Sequence, residues 1–355
     1  MPPAPDDRRF TDDDMQSALR NRELPLEALR YDVTPTGLHY LLGHFDIPAV
    51  NQDSWSLEIG GLVARPGSFT LDDLRQMPSS SMAVTLECAG NGRSLLDPFP
   101  GGQPWRSGAV STAVWNGVSL AHLLQAVEVS SEAVEIVFTG ADRGVEDGVE
   151  QRFQRSLPTR EAAQADVLIA YEMNGEPLPP QHGSPARLIV PGWYGMASVK
   201  WLVEIDAVST PFDGFQQWSY EIRQDENVSG ERITRMLPRA LMEPPGIPGD
   251  AGRRVRGADV ALRGRAWSGT SGIVRVEVSM DDGETWFDAA VGQPVGPKAW
   301  SGWHGAVELP RPGDYVLRSR ATDADGRTQP TEPRRNVWGY QNNVCERVPV
   351  VFAPE

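Results

Sequence analysis

Apolar and polar positions alternate from residue 55, with Trp55, Leu57 and Ile59 set against Ser56, Glu58 and Gly60, the period of a half-buried strand. Leu71 to Met77 reads as a short helix closed by Pro78, because proline pushes the residue before it out of helical geometry. Met82, Val84 and Leu86 resume the alternation and lead straight into Cys88. Leu120, Leu123, Leu124 and Val127 recur at helical spacing behind Ser119, a candidate cap. Ala165 to Tyr171 and Ala186 to Val190 read as strands, with Asn174-Gly175 as a hairpin turn, and Lys200 to Val208 reads as a further strand. Strands and helices interleave without a regular βαβ repeat, so this part of the chain is expected to be α+β.

The pattern changes after the proline-rich stretch Pro238 to Pro248. Short strands follow, with turns roughly every ten residues: Asp259 to Ala266, Ile273 to Met280, the turn Asp281-Asp282-Gly283, then Tyr315 to Thr322 and Asp325-Gly326. That spacing predicts a β-sandwich of immunoglobulin-like size, without the Cys–Trp–Cys arrangement of antibody domains. A chain of 355 residues is long for one core. The expected division is a charged, proline-containing N-terminal surface arm over 1–30, an α+β domain over 31–235 and the sandwich over 236–355.

Composition narrows the function. The net charge of −15 opposes a nucleic-acid partner, since a phosphate backbone would be repelled. No apolar run approaches the roughly 20 residues of a membrane span, so no membrane insertion is expected. Arg8-Arg9-Phe10 resembles a twin-arginine signal, but Thr11-Asp12-Asp13-Asp14 follows where an apolar segment should begin. The expected location is therefore cytoplasmic, or periplasmic for a processed form, and the three aspartates read as a solvated face. Two distant cysteines, Cys88 and Cys345, make no disulfide framework, and Cys345 reads as a small buried hydrophobe.

Cys88 is different. It ends a strand-like segment within Thr85-Leu86-Glu87-Cys88-Ala89-Gly90-Asn91-Gly92-Arg93, in a glycine-bracketed loop with an arginine five residues on. A neighbouring positive charge favours the thiolate, which is either a nucleophile or a soft metal ligand. A nucleophile needs a histidine base, and His39, His44, His122, His182 and His304 are available, but no local protease signature surrounds Cys88. No second cysteine or histidine pair stands at zinc-ligand spacing. The metal alternative is therefore a single thiolate serving a metal whose other ligands belong to a cofactor.

An ordered series of further motifs resembles the sulfite oxidase family of molybdenum–pterin enzymes along nearly the whole chain. It comprises Gly43-His44, Cys88 to Arg93, Trp105 to Thr112, Ala170 to Pro179, His182 to Arg187, Val190-Pro191-Gly192 and Val199 to Leu202. In the second domain, Ala266 to Gly269 and Val276 to Trp286 look like the family's dimerisation module. The resemblance implies a homodimer with a molybdenum–molybdopterin cofactor and Cys88 as the protein's ligand to molybdenum. It further implies that Tyr40, His44, Asp142, His182, Arg187, Ser198 and Lys200 hold the cofactor. Tyr220 falls at the family's active-site tyrosine, and Arg93 stands beside the thiolate loop.

The sequence also departs from that family. Where sulfite-oxidising members hold their anion with arginines, this chain has Leu42 at one position and, counting back ungapped from Asn343, Trp338 at the other. Charge-assisted hydrogen bonds contribute about 1.5–3 kcal/mol each, so losing two would weaken sulfite selection by roughly 10²–10⁴-fold. Leu42 and Trp338 imply a pocket for a larger or less charged small-molecule substrate. The implied reaction is oxygen-atom transfer to sulfite or a related sulfur compound. No haem-attachment motif is present, so electrons would pass to an external acceptor: a cytochrome, a flavoprotein, a quinone pathway or dioxygen. Competing readings are an S- or N-oxide reductase, a non-catalytic cofactor carrier, and a cysteine hydrolase joined to an adhesion-like sandwich.

Overall fold

The computed structural model describes residues 20–146, 148–250 and 252–354. Two five-stranded sheets, with a two-stranded ribbon of Glu221–Ile222 and Glu231–Arg232, build the first part of the chain. One runs in the order Gly67–Thr70, Ser56–Gly61, Leu202–Val208, Glu135–Glu146, Val149–Pro158. The other runs Ser79–Glu87, Val110–Ser119, Leu168–Met173, Glu176–Pro177, with Arg187–Ile189 also paired to Leu168–Met173. Short helices, Leu71–Gln76 and Leu120–Ala126 among them, pack apolar faces onto these sheets. Leu57, Ile59, Leu74, Leu120, Leu123, Phe138 and Ile205 are almost fully buried in one core, each contributing roughly 1.5–3 kcal/mol by leaving water.

The second part is a β-sandwich. Its strands follow the order Arg239–Met242, Asp259–Trp267, Ser301–Glu308, Phe287–Val291, Ile273–Ser279, Gly313–Asp323, Val348–Phe352, Arg253–Val255. Val260, Leu262, Val276, Val278, Trp303, Leu317 and Val350 fill its core. Trp267 and Trp300 are exceptions, because they belong to the core of the first part. The sandwich thus docks on the strand that carries Cys88: Trp300 N–H donates to Thr85 Oγ1 at 2.8 Å, and Thr85 N–H to Lys298 O at 3.0 Å.

Three expectations are corrected. Residues 20–30 are not a surface arm: Leu24, Ala28 and Leu29 are 1–3 % exposed, and Leu24 N–H donates to Gly108 O at 2.8 Å. The apolar residues at 24, 28 and 29 explain this, since charged neighbours face out while they face the core; Asp12, Asp13 and Asp14 lie outside the described residues. Ser119 precedes its helix but makes no side-chain cap, its hydroxyl reaching Ala165 O at 3.2 Å instead. The strand expected from Ala165 begins at Leu168, after a turn that returns Val167 O to Leu120 N–H at 2.8 Å. Among the described residues, no helix is long and apolar enough to cross a membrane.

Candidate active site

The strand Ser79–Glu87 delivers Cys88 into a loop closed on itself. Cys88 N–H donates to Ala109 O at 2.9 Å, Asn91 N–H returns to Cys88 O at 3.0 Å, and Asn91 Oδ1 takes the Ala109 N–H at 3.1 Å. Gly92 adopts φ +87°, and a β-carbon there would stand 2.7 Å from Asn342 O, so the turn needs glycine. Glu87 is 2 % exposed and accepts from Asn91 Nδ2 at 3.0 Å, Trp267 Nε1 at 2.8 Å and Arg239 NH1 at 3.2 Å. The same Arg239 nitrogen reaches Asn91 O and Asn342 O. A buried ion pair therefore fixes the cysteine loop to the sandwich.

Cys88 Sγ faces the Gly90 N–H, the Trp105 indole N–H and the Arg93 charge rather than an imidazole. These donors favour thiolate, yet burial outweighs them and pushes the thiol up. The sequence expectation that Arg93 alone would favour thiolate is corrected: Cys88 is 7 % exposed, and a bound soft cation would be needed to displace the proton. Cys345 is buried as expected, with its thiol pushed up to about 12 by burial.

Cys88 opens onto a cavity of about 70 Å³. Tyr40, Leu42, His44, Asp142, His182, Arg187, Ser198, Lys200 and Tyr220 all line it. Seven separate chain segments are thus brought to one place. Arg187 donates through NH1 to His182 O and through NH2 to Ser198 O, each at 3.0 Å, while its guanidinium stands 4.9 Å over the Trp115 ring. Lys200 Nζ donates to Leu42 O at 2.8 Å and Gln181 O at 3.0 Å. Burial, then the Arg187 charge, pull Lys200 down to about 7; burial raises Asp142 to about 6 against the attraction of Lys200. His44 Nε2 sits 2.8 Å from Glu146 Oε1. Tyr40 is held by Ser111 Oγ at its N–H, and its hydroxyl lies so close to Gly195 that a β-carbon there would be 2.5 Å away.

His182 Nε2, Asp142 Oδ1 and Arg187 Nε are buried atoms without a hydrogen-bond partner, and all belong to residues lining this cavity. Such atoms are costly unless a ligand meets them. With one cysteine sulfur, two cations and this mixture of donors and acceptors, the wall fits a pterin cofactor that carries a metal, polar ring edges and a phosphate.

Arg93 and Trp338 are placed differently from the other candidates. Arg93 is 7 % exposed, donates to Trp338 O at 2.8 Å and Gln103 O at 3.2 Å, and lies 4.9 Å over the Tyr340 ring. Trp338 is 37 % exposed and meets the site through its carbonyl; its side chain is not part of the cavity wall, which corrects its assignment to the substrate pocket. Two residues at this end were not foreseen. Tyr340 packs against Tyr220 with ring centroids 5.2 Å apart and planes tilted by 31°, and Arg155, 2 % exposed, lies 5.6 Å from the Tyr220 ring. The alternation of Phe153 and Leu157 about position 155 is the signal that could have marked it as buried, but it does not reveal the partners that a buried arginine needs.

Residues 44–216 match the model of the oxidoreductase molybdopterin binding domain, and residues 250–352 that of the Mo-co oxidoreductase dimerisation domain. The chain is 34% identical over 364 residues to an NADH nitrate reductase of Lotus japonicus, covering 92% of this chain and 40% of that protein. It is 33% identical over 363 residues to the mitochondrial sulfite oxidase of Rattus norvegicus, covering 94% and 64%. The chain therefore spans less than two thirds of the length of these relatives. The sulfane dehydrogenase SoxCD from Paracoccus pantotrophus superposes with a TM-score of 0.79 at 29% identity, over 91% of this chain and 82% of that one.

Proposed function

The chain belongs to the sulfite oxidase family of molybdopterin-dependent oxidoreductases, and on that premise we propose that it oxidises a sulfur compound larger or less charged than sulfite. It hands the electrons to an external acceptor and works as a homodimer, a reading supported by the match to the dimerisation domain. When bound, the molybdenum–molybdopterin group supplies two-electron oxygen-atom transfer.

The protein's share is positional. Cys88 offers its sulfur to the metal from a loop locked by Glu87, Asn91 and Arg239. Arg187, Lys200, His182, His44, Asp142, Tyr40 and the Ser198 backbone would hold the cofactor's polar edges. Tyr220 keeps its proton, since burial raises its phenol well above the ordinary value, so it orients substrate as a hydrogen-bond donor.

One observation carries the substrate reading: beyond Arg187 and Lys200, which are committed to the cofactor, the described cavity wall holds no arginine or lysine, while Leu42, Leu86, Phe153 and Met196 supply apolar wall. A sulfite anion would lack the roughly 1.5–3 kcal/mol that each charge-assisted bond provides. A second reading, reduction of an S- or N-oxide, draws on the nitrate reductases among the similar proteins.

The test is sulfite-dependent reduction of ferricyanide by molybdenum-replete protein, with Cys88→Ala as the inactive control and a Leu42→Arg variant. Slow parental turnover that rises at least tenfold in Leu42→Arg is expected. Fast, Cys88-dependent turnover by the parent would overturn the proposal.

A further inference from the structure

His39 lies beside the cofactor slot and outside the set of residues that the family motifs mark. It caps the turn Thr36–Leu38, its own N–H donating to Pro35 O at 3.1 Å, and it is 2 % exposed. The ring is confined on three sides. It stacks on Tyr40 at 5.2 Å and 20°, meets Trp115 edge-on at 6.0 Å and meets His182 edge-on at 5.1 Å. The imidazole has little freedom to turn.

Its protonation follows from chemistry. Nδ1 is 2.9 Å from Tyr40 O. A carbonyl only accepts, so Nδ1 carries the hydrogen. Burial, followed by the nearby charges of Arg187, Lys200 and Arg22, holds the ring down to about 3 despite the Tyr40 hydrogen bond, so no second proton joins it at neutral pH. Nε2 is then a bare lone pair. It is buried and without a partner, and His39 lines the same cavity as Cys88. Around it stand groups of the opposite kind, the Arg187 and Lys200 cations, with the Arg187 Nε–H still unpartnered. A polar ligand in this slot therefore meets donors on one side and, at His39, an acceptor aimed at an N–H or O–H.

We propose that His39 is a further cofactor-binding residue of this chain, its Nε2 accepting a hydrogen bond from an N–H of the bound pterin. The inference rests on the molybdopterin assignment and adds a residue to it. It also gives the His39–His182 pair a purpose: two neutral imidazoles edge to face, each with Nε2 unpartnered by protein, present matched hydrogen-bonding sites to one ligand.

The test compares cofactor retention rather than turnover. Holoprotein and the variants His39→Phe and His39→Gln are purified from a cofactor-supplying host. Molybdenum and oxidised pterin are then quantified per chain over time after dilution. His39→Phe keeps a flat ring without the acceptor and should lose cofactor roughly tenfold faster. His39→Gln restores an acceptor and should recover most of the retention. Equal retention by parent and His39→Phe overturns the proposal, whereas a parent that purifies without pterin would sink the cofactor assignment itself. Should His39→Phe fail to fold, the unaltered protein decides. With histidine nitrogens labelled, the His39 Nε2 signal should stay unprotonated and shift on cofactor loading. An Nε2-protonated tautomer, or a signal unmoved by loading, overturns the proposal equally.

Discussion

Lowering the pH should unfold the cofactor-free protein through its two buried imidazoles. His182 is 3 % exposed, and burial, joined by the His39, Arg187 and Lys200 groups, pulls it down to about 2. In the unfolded chain the same ring titrates near 6.5. Between those values the unfolded state binds a proton that the folded state refuses, so stability falls as the pH drops below about 6.5. Each pH unit of that window is worth about 1.4 kcal/mol. Going from pH 7 to pH 5 therefore costs about 2 kcal/mol at His182 alone. Other buried groups titrate in the same range, and Asp142, raised to about 6 by burial, works in the opposite direction. A difference measurement cancels them. Urea unfolding followed by tryptophan fluorescence, at pH 7 and pH 5, should show the parent losing about 2 kcal/mol more than His182→Asn. Parallel losses in parent and variant would refute the reasoning, because they would mean that His182 takes its proton within the fold.

Arg239→Met should cost about 3–5 kcal/mol in urea unfolding, because it leaves the Glu87 carboxylate buried beside Cys88 without its ion partner; the double variant Glu87→Gln, Arg239→Met should recover much of that, and strictly additive losses would count against coupling. Trp338→Arg should leave sulfite turnover unchanged in the ferricyanide assay, since that side chain lies outside the cavity wall, and a gain matching that of Leu42→Arg would show that the loop turns inward. Tyr340→Ala removes the ring shared by Tyr220 and Arg93 and should lower kcat/KM by roughly tenfold with whichever substrate is turned over, an effect absent if Tyr340 only fills space at the surface.

Local periodicity carried much of the fold. Trp55, Leu57 and Ile59 face the core as their alternation requires, and Leu120, Leu123 and Leu124 line one helical face. Several site residues were legible because fixed motifs mark them: Cys88, His182 and Arg187 stand in short conspicuous runs and converge on one cavity. What escaped depends on distant partners. Glu87 reads as one more strand residue, and it is Arg239 and Trp267, 152 and 180 positions away, that help make its burial tolerable. Arg155 is buried because Gln216 O and the Tyr220 ring receive it from another segment. Trp338 was misplaced because counting positions fixes a residue's place in the chain and not its orientation. Gly339 has φ +62°, and a β-carbon there would meet Pro100 at 2.6 Å. That turn presents the Trp338 carbonyl, rather than its indole, to Arg93.

The same separation of main chain from side chain explains how the substrate end can change while the cofactor cradle persists. Lys200 is anchored on the carbonyls of Leu42 and Gln181, and Arg187 on those of His182 and Ser198. None of these four bonds uses the anchoring residue's side chain. Position 42 can therefore hold leucine or arginine without loosening Lys200, whereas Cys88, whose loop depends on the side chains of Glu87, Asn91 and Arg239, has no such latitude. On the proposed reading, selection of substrate at position 42 and retention of the metal at position 88 would be mechanically independent. A Leu42→Arg protein should accordingly match the parent in molybdenum content while differing in the compound it oxidises.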